Sequence, residues 1–582
     1  MSTLSFSEGD RCGCVASVDT AQIVIEIDCL ETMSSVSVGN LIAIETTKAH
    51  EYLIAIIERI TRKYLDPETN ASGGVNIDLP SSSDFIRVNI IGTFLSVDGE
   101  RRDVFKRGVD SFPQIDSKCY CISSQNLQNF MNILGSNIDI KKRLKIGTFS
   151  MDKTAEAILD GNKFFQRHAA VLGSTGSGKS WCVAGILEKA SHLQYPNLIV
   201  FDMHGEYSSL SSGTNRIADG FRIAGPGDLG KDAGDILYMP YWVLNRDEVL
   251  SMILDRSDYN APNQASRFTT HIQALKKVAI EKEHLEKPYE SFTVDSPIPY
   301  DLSQLIALLN DDNTRKGEGA KGQAVKGDWE GQLTRFLARL NAKIADKRYG
   351  FMFQPPVATL QYNWLADQLS KILGFADGQR GIKIIDFSEV PSDVLPVITG
   401  TMARLLYDIQ FWMSEDKRTP FTLVCDEAHL YLPTKDDADS VQKQALYNFE
   451  RIAKEGRKYG VSILAVSQRP SDVSRTILSQ CNNFVVLRLT NENDKSVIKN
   501  LLPDSLKSTI DSLPLLDVGE ALVVGDAIML PSKIQLSPPS EHCRPVSATH
   551  NFWNEWDSKQ PNNDAIRASV EAMRRQSRTY DE

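Results

Sequence analysis

The run Gly173, Ser174, Thr175, Gly176, Ser177, Gly178, Lys179 and Ser180 follows the spacing G-x-x-x-x-G-K-[ST] in full. An apolar stretch, Ala169–Leu172, precedes it, and a helix-compatible stretch, Trp181–Ala190, follows. That setting gives the pattern its chemistry. The glycines let backbone N–H groups curl round phosphates, and the helix N-terminus adds the positive end of its dipole. Lys179 then reaches the β- and γ-phosphates, and the Ser180 hydroxyl coordinates Mg²⁺. The ligand class is ATP with Mg²⁺.

A second run, Phe421-Thr-Leu-Val-Cys-Asp426-Glu427-Ala-His429, delivers two acids at the end of an apolar strand. A lone Asp-Glu pair after a strand says little. Downstream of a complete phosphate-binding loop it predicts Asp426 holding Mg²⁺ through water and Glu427 polarising the attacking water. A third run, Val466-Ser-Gln468-Arg-Pro470, again closes a strand. Gln468 stands where a γ-phosphate sensor would sit, and the plainer reading is a turn residue before a proline. A fourth, Phe201-Asp202-Met-His204-Gly-Glu206-Tyr207, follows the strand Leu198–Phe201 and is expected beside the loop, positioning water or Mg²⁺. Its spacing does not suit a closed zinc site. Positive charge for the transition state is available from Arg451 and Arg457, between the acids and Gln468. The alternative is a solvated basic helix face.

These groups need a scaffold that brings strand ends together. From about residue 146 short apolar strands alternate with helical stretches, the pattern of a parallel α/β sheet. The strands are predicted at His168–Leu172, Leu198–Asp202, Ile382–Asp386, Phe421–Asp426, Val461–Ser467 and Phe484–Leu489. Ligands bind at the carboxyl ends of such strands. Residues 1–145 read as β-rich, with Val- and Ile-dense runs between Gly, Asp, Asn and Ser clusters, which predicts a small barrel or sandwich. The fold class is therefore α/β, a RecA-like core with an N-terminal β domain. The expected division is 1–145 barrel, 146–227 and 381–536 the two parts of the core, 228–380 a helical insertion, and 537–582 a C-terminal tail. Within the insertion, Thr314–Gly327 is Gly-rich and basic, which reads as a surface loop or as a contact for DNA or a partner.

The bulk numbers bound the partners. The chain has 582 residues and a net charge of −11, from 64 Lys and Arg against 75 Asp and Glu. A protein coated in basic surface is excluded, so contact with nucleic acid requires a local basic lining. Lys435, Lys454 and Lys458 are the residues nominated for it. No stretch reaches the length of a membrane span, and the first residues lack a signal-peptide core, so the expectation is a cytoplasmic protein. The nine cysteines fit a reducing compartment. Cys12/Cys14 and Cys119/Cys121 form Cys-x-Cys pairs, read as buried strand cysteines ahead of a metal site.

Taken together the motifs resemble the HerA family of hexameric DNA translocases, within the wider HerA/FtsK group. The carriers are RHAAVLGSTGSGKS (167–180), FDMHGEY (201–207), LVCDEAH (423–429), the block 451–494 and VGEALVVGDAIMLPSKIQL (518–536). The resemblance implies a HAS-type barrel at the N-terminus, a homo-hexameric ring with ATP sites at subunit interfaces, and double-stranded DNA in the channel. It gives the phosphate, metal and water roles to Lys179, Ser180, Asp426, Glu427 and Gln468. Arg451 looks like the arginine that acts on a neighbour's nucleotide, with Arg457 behind it, and Arg167 resembles a family arginine near the phosphates. It also implies an effector, such as a NurA-like nuclease. A second reading from another class is a ring that assembles and activates an antiphage effector, a sirtuin-like NADase or another nuclease. A secretion or conjugation ATPase is disfavoured by the lack of membrane spans.

Overall fold

A computed structural model describes residues 4–575 apart from 21, 29–35, 65–81, 137, 151, 195, 232, 286–288, 319–322, 375–378, 437, 504–506, 547–551 and 559–561. The N-terminal strands are β1 (Arg11–Val18), β2 (Gln22–Ile27), β3 (Leu41–Glu45), β4 (Glu51–Tyr64), β5 (Ser82–Asp98), β6 (Arg101–Lys106) and β7 (Lys118–Ile122). They pair in the order β2-β1-β7-β3-β4-β5-β6, and β2 also pairs with β5, which closes the sheet into a barrel with β6 on its outside. Closure removes the free edges that a short, Ile- and Val-rich sheet would otherwise expose. Its interior is filled by Val15, Ile23, Ile25, Ile42, Ile44, Leu53 and Ile86.

The rest of the chain is built on a twelve-stranded sheet. Its strands are β8 (Arg143–Phe149), β9 (Glu156–Asp160), β10 (Ala169–Leu172), β11 (Leu198–Asp202), β12 (Ala218–Ile223) and β13 (Ile236–Leu237). They are joined by β16 (Ile382–Asp386), β17 (Phe421–Cys425), β18 (Val461–Ser467), β19 (Asn483–Leu487), β20 (Glu520–Gly525) and β21 (Ser532–Leu536). The order is β13-β12-β16-β11-β17-β18-β10-β19-β20-β21-β8-β9. Every pairing from β13 to β19 is parallel. From β19 to β9 every pairing is antiparallel. The central parallel strands β10, β11, β17, β18 and β19 are buried on both faces, as their largely apolar sequences require. β10 lies between β18 and β19 and β17 beside β18, so the carboxyl ends of β10, β17 and β18 share one edge of the sheet.

Helix α1 (Lys179–Ser191) follows β10, α2 (Leu395–Trp412) follows β16, and α3 (Ser440–Glu455) leads into β18. Between β13 and β16 the chain is mainly helical, with helices Arg246–Ile253, Ala261–Lys282, Leu302–Thr314, Thr334–Ala345 and Trp364–Leu373. Their apolar faces join Trp242, Phe268, Phe336 and Phe351 to the core that also holds α2, α3 and one face of the sheet. A buried ion pair fixes the junction. Arg404 of α2 donates to both carboxylate oxygens of Glu248 at 2.8 Å, and Asn448 of α3 donates to Glu248 Oε1 at 3.2 Å. The ends of the Gly-rich basic run form a hairpin, β14 (Gly317–Glu318) with β15 (Ala324–Val325), and its tip lies outside the described residues.

The barrel and the sheet are tied by Arg107, just after β6. It donates to the carbonyls of Gly525 at 2.6 Å and Met529 at 3.0 Å and lies 3.8 Å from Asp526.

Candidate nucleotide-hydrolysis site

The loop from Gly173 to Gly178 leaves β10 and enters α1 at Lys179. Gly173 N–H donates to the Ser467 carbonyl at 3.3 Å, Ser174 N–H to Arg488 at 2.9 Å, and Gly519 N–H to Ser177 at 3.3 Å. The loop is thus strung between β18, β19 and the turn before β20. Gly176 and Gly178 sit at φ of 75° and 96°, which side-chain-bearing residues rarely adopt. A Cβ on Gly173 would come within 2.6 Å of Ser177 Oγ and 2.8 Å of Leu487 Cβ.

Lys179 is buried, and its Nζ donates to Glu427 Oε1 at 2.6 Å and lies 3.7 Å from Asp426 Oδ1. Gln468 Nε2 donates to the same Glu427 oxygen at 3.2 Å, and Thr175 Oγ1 donates to Gln468 Oε1 at 2.5 Å. The loop, the acid pair and the strand-end glutamine therefore form one hydrogen-bonded chain at the carboxyl edge of the sheet. Glu427 stands at φ 44°, a left-handed conformation that turns the backbone sharply after β17. His429 Nδ1 is 3.3 Å from Glu427 Oε2 and 3.4 Å from Ser467 Oγ. Burial pushes the Asp426 carboxyl up to about 7, and the Lys179 ammonium pulls it the other way.

Three buried oxygens here have no hydrogen-bond partner among the described residues: Ser177 Oγ, Asp426 Oδ1 and Glu427 Oε2. Buried polar atoms are normally satisfied, so these mark the place of a polar ligand. Ser180 lies half-buried in the first turn of α1. A cradle of backbone N–H groups, a lysine, a hydroxyl and a carboxylate fits a nucleotide polyphosphate with its Mg²⁺.

Asp202 of the FDMHGEY segment does something else. Its carboxylate accepts N–H bonds from His204 at 3.3 Å, Glu206 at 3.1 Å and Tyr207 at 2.9 Å, so it shapes its own loop. Burial raises its carboxyl to about 6.

The arginines lie elsewhere. Arg167 caps the short helix before β10, at the amino end of the strand whose carboxyl end carries the loop, and pairs with Asp526. Arg457 lies in the turn before β18 and lines a cavity of about 530 Å³ there with Lys141, Lys142 and Phe165. Arg451, in the last turns of α3, lies over the rings of Tyr407 at 4.7 Å and Phe411 at 5.7 Å, and 3.7 Å from Asp408. None of the three contacts the phosphate-binding loop of its own chain. Lys435 and Lys454 both reach Glu450, at 2.9 and 3.5 Å, and Lys458 lies over the Tyr459 ring at 5.6 Å.

Cys12 and Cys14 of β1 and Cys119 and Cys121 of β7 lie on adjacent strands as free thiols, with Cys12 Sγ donating to the Cys119 carbonyl at 3.4 Å. Among the described residues no helix is long and apolar enough to cross a membrane.

The sequence places Thr175 in the phosphate-binding loop, but it predicts neither the Thr175 bond to Gln468 nor the approach of His429 to Glu427. Thr175 sits inside the loop motif and His429 two residues beyond the acid pair, so proximity in the motifs was the available signal.

Residues 144–406 match the family described as Helicase HerA, central domain. A probable helicase of Methanocaldococcus jannaschii is 26% identical over 451 residues, covering 76% of this chain and 75% of that protein. The DNA double-strand break repair helicase HerA of Pyrococcus furiosus is 24% identical, covering 68% of this chain and 69% of that protein. Its namesake from Saccharolobus solfataricus is 25% identical, covering 68% of each. Among solved structures, VirB4 of Thermoanaerobacter pseudethanolicus is similar at 18% identity and a TM-score of 0.47, covering 70% of this chain and 99% of that one. With its phosphate-binding loop, acid pair and closed N-terminal barrel, the chain is a P-loop ATPase whose residues 144–406 are similar to the central domain of HerA helicases.

Proposed function

We propose that this chain is the subunit of a homo-hexameric motor that hydrolyses Mg-ATP to move double-stranded DNA through a central channel. The observation that carries the reading is the chain of contacts from Thr175 through Gln468 and Glu427 to Lys179, beside buried oxygens with no hydrogen-bond partner among the described residues. In it Gly173, Ser174, Thr175, Gly176, Ser177 and Gly178 cradle the phosphates, Lys179 neutralises them, and Ser180 and Asp426 hold Mg²⁺. Glu427 orients the attacking water, and Gln468 reports the γ-phosphate to β18. When bound, Mg²⁺ would supply charge neutralisation at the phosphates, while the protein supplies position and a water-polarising carboxylate.

Arg451 is assigned to the neighbour's nucleotide, with Arg457 as the fallback; Arg167 is kept as an arginine of the phosphate site, although in its own chain it pairs with Asp526 away from the loop. The names of the relatives, DNA double-strand break repair helicases, support DNA as the substrate. The division at 1–145, 146–227, 228–380, 381–536 and 537–582 belongs to the same proposal, with the barrel, the interrupted core and the helical insertion as its units. An effector such as a NurA-like nuclease would receive the DNA.

A second reading is favoured by one observation: Lys435 and Lys454, nominated for DNA, are both engaged by Glu450. A ring with weak DNA contacts would instead assemble and activate an antiphage effector, a sirtuin-like NADase or a nuclease. Duplex-stimulated ATPase, measured across a salt series with Lys435→Glu and Lys454→Glu variants, separates the two. The motor requires stimulation that weakens with salt and falls in the variants. An ATPase indifferent to DNA favours the platform.

A further inference from the structure

After β21 the chain returns across the back of the helix that follows the phosphate-binding loop. Ser540 N–H donates to Glu188 Oε2 of α1 at 3.1 Å, and the Arg544 guanidinium lies over the Trp181 ring of the same helix at 5.6 Å. Ser209 Oγ donates to the Arg544 carbonyl at 2.7 Å, and Val546 N–H donates to the Glu206 carbonyl at 2.7 Å. The strap therefore touches both α1 and the end of the FDMHGEY segment.

This course brings the turn Glu541–Cys543 against Glu188. One oxygen of Glu188, a ring nitrogen of His542 and the sulfur of Cys543 all lie within 4.8 Å of one another. Glu188 and Cys543 are buried, and His542 is exposed. Glu188 Oε2 accepts from Ser540 N–H at 3.1 Å and from Lys189 Nζ at 3.4 Å, and the Ser540 hydroxyl also bonds Glu188 and lies 3.2 Å from His542 Nδ1, so a bound ion would take the place of that hydroxyl between the three side chains.

We propose that Glu188, His542 and Cys543 form a binding site for a divalent metal ion of the zinc class, with water as the fourth ligand. A carboxylate, an imidazole and a thiolate are the donor types of tetrahedral zinc, and the thiolate disfavours Mg²⁺ and Ca²⁺. Zinc bonds of about 2.0 to 2.3 Å place tetrahedral ligand atoms roughly 3.3 to 3.8 Å apart. The triad must therefore contract by up to roughly 1.5 Å, and the exposed His542, on a short turn, is the member that can move by giving up its contact with Ser540 Oγ. Binding displaces the thiol proton of Cys543 to solvent. The burial that raises this thiol above its ordinary range is then offset by the metal's charge. The site is separate from the nucleotide's Mg²⁺ in place and in donor chemistry. Its consequence is mechanical: a bound ion fastens the strap to α1, the helix that begins at Lys179.

The test uses the full chain, stripped with a chelator and titrated with Co²⁺ in the absence of nucleotide. The expected result is a single equivalent bound, with a thiolate-to-cobalt charge-transfer band that Zn²⁺ abolishes. Cys543→Ser should lose the band. His542→Ala, at an exposed side chain that gives up a contact with Ser540 Oγ, should weaken binding at least about tenfold. If Cys543→Ser does not fold, the His542→Ala titration decides alone. Absence of the band in the parent chain, or binding unchanged in His542→Ala, overturns the proposal.

Discussion

Lys179 Nζ donates to Glu427 Oε1 at 2.6 Å, joining residues 248 apart in sequence, and both side chains are buried. The cation proposed to bind phosphate holds the carboxylate proposed to orient water. On the proposed reading, phosphate would compete for the lysine, and nucleotide binding would release Glu427 to orient the attacking water. Binding and hydrolysis should separate by mutation. Lys179→Ala removes a charge-assisted contact to phosphate and should weaken ATP binding about 10- to 100-fold. Glu427→Gln keeps an acceptor for Lys179 but loses the carboxylate, so affinity should hold while turnover falls by about 10²- to 10⁴-fold. Nucleotide titration and phosphate release on both variants check this.

A second prediction concerns the arginines. Arg451 is held over Tyr407 at 4.7 Å and beside Asp408 at 3.7 Å, a placement that presents its guanidinium without using it on its own site. Arg451→Ala should lower turnover by about 10³-fold or more with little change in ATP affinity. Mixing these subunits with Lys179→Ala subunits should restore part of the activity, because some interfaces then pair an intact loop with an intact arginine. No recovery in any mixture would place Arg451 outside the neighbouring site.

The insertion is fastened by charge as well as apolar packing. Glu248 is 1% exposed, and it accepts from Arg404 and Asn448. Glu248→Ala leaves the Arg404 cation buried and poorly paired, and should destabilise the fold by about 3–5 kcal/mol. Denaturant unfolding reads it. A change below about 1 kcal/mol would mean that the pair is hydrated or replaceable.

His168 gives a pH dependence with a defined sign. Burial lowers its pKa from 6.5 to about 4, and its Nδ1 accepts the Ile463 N–H at 2.9 Å, a bond that needs the neutral ring. The unfolded chain binds this proton first, so stability from this group is complete above pH 6.5 and is lost as pH falls towards about 4. The loss amounts to roughly 3 kcal/mol. His168 has φ 40°, which Asn tolerates better than most residues, and an Asn oxygen can accept the same N–H. His168→Asn should therefore show a flatter decline in stability over that range by unfolding at a series of pH values.

Much of the scaffold was legible in the sequence. Leu198–Asp202, Ile382–Asp386 and Val461–Ser467 are strands with the predicted bounds, because each is a short apolar run buried on both faces and ended by a polar residue. β12 escaped notice: ADGFRI carries Asp, Gly and Arg, and only its pairing with β16 makes it a strand. β8 and β9 were equally hidden, since their role is to extend the sheet beyond β21 through partners far away in sequence. At the site, spacing was enough to nominate Lys179, Asp426, Glu427 and Gln468. It could not show that Lys179 is engaged by Glu427, that Asp202 is occupied by its own loop, or that Lys435 and Lys454 share Glu450. Those are outcomes of three-dimensional competition between charges, which a linear motif does not encode.

The central claim is that ATP hydrolysis at Glu427 drives movement along duplex DNA. It is tested most directly by displacement of a third strand from a duplex, timed with ATP and with a non-hydrolysable analogue. The account predicts displacement by the parent chain with ATP alone, delayed in proportion to the length of duplex leading to the third strand, and none by Glu427→Gln despite retained nucleotide binding. Robust ATP hydrolysis without displacement, or displacement that survives Glu427→Gln, would contradict it.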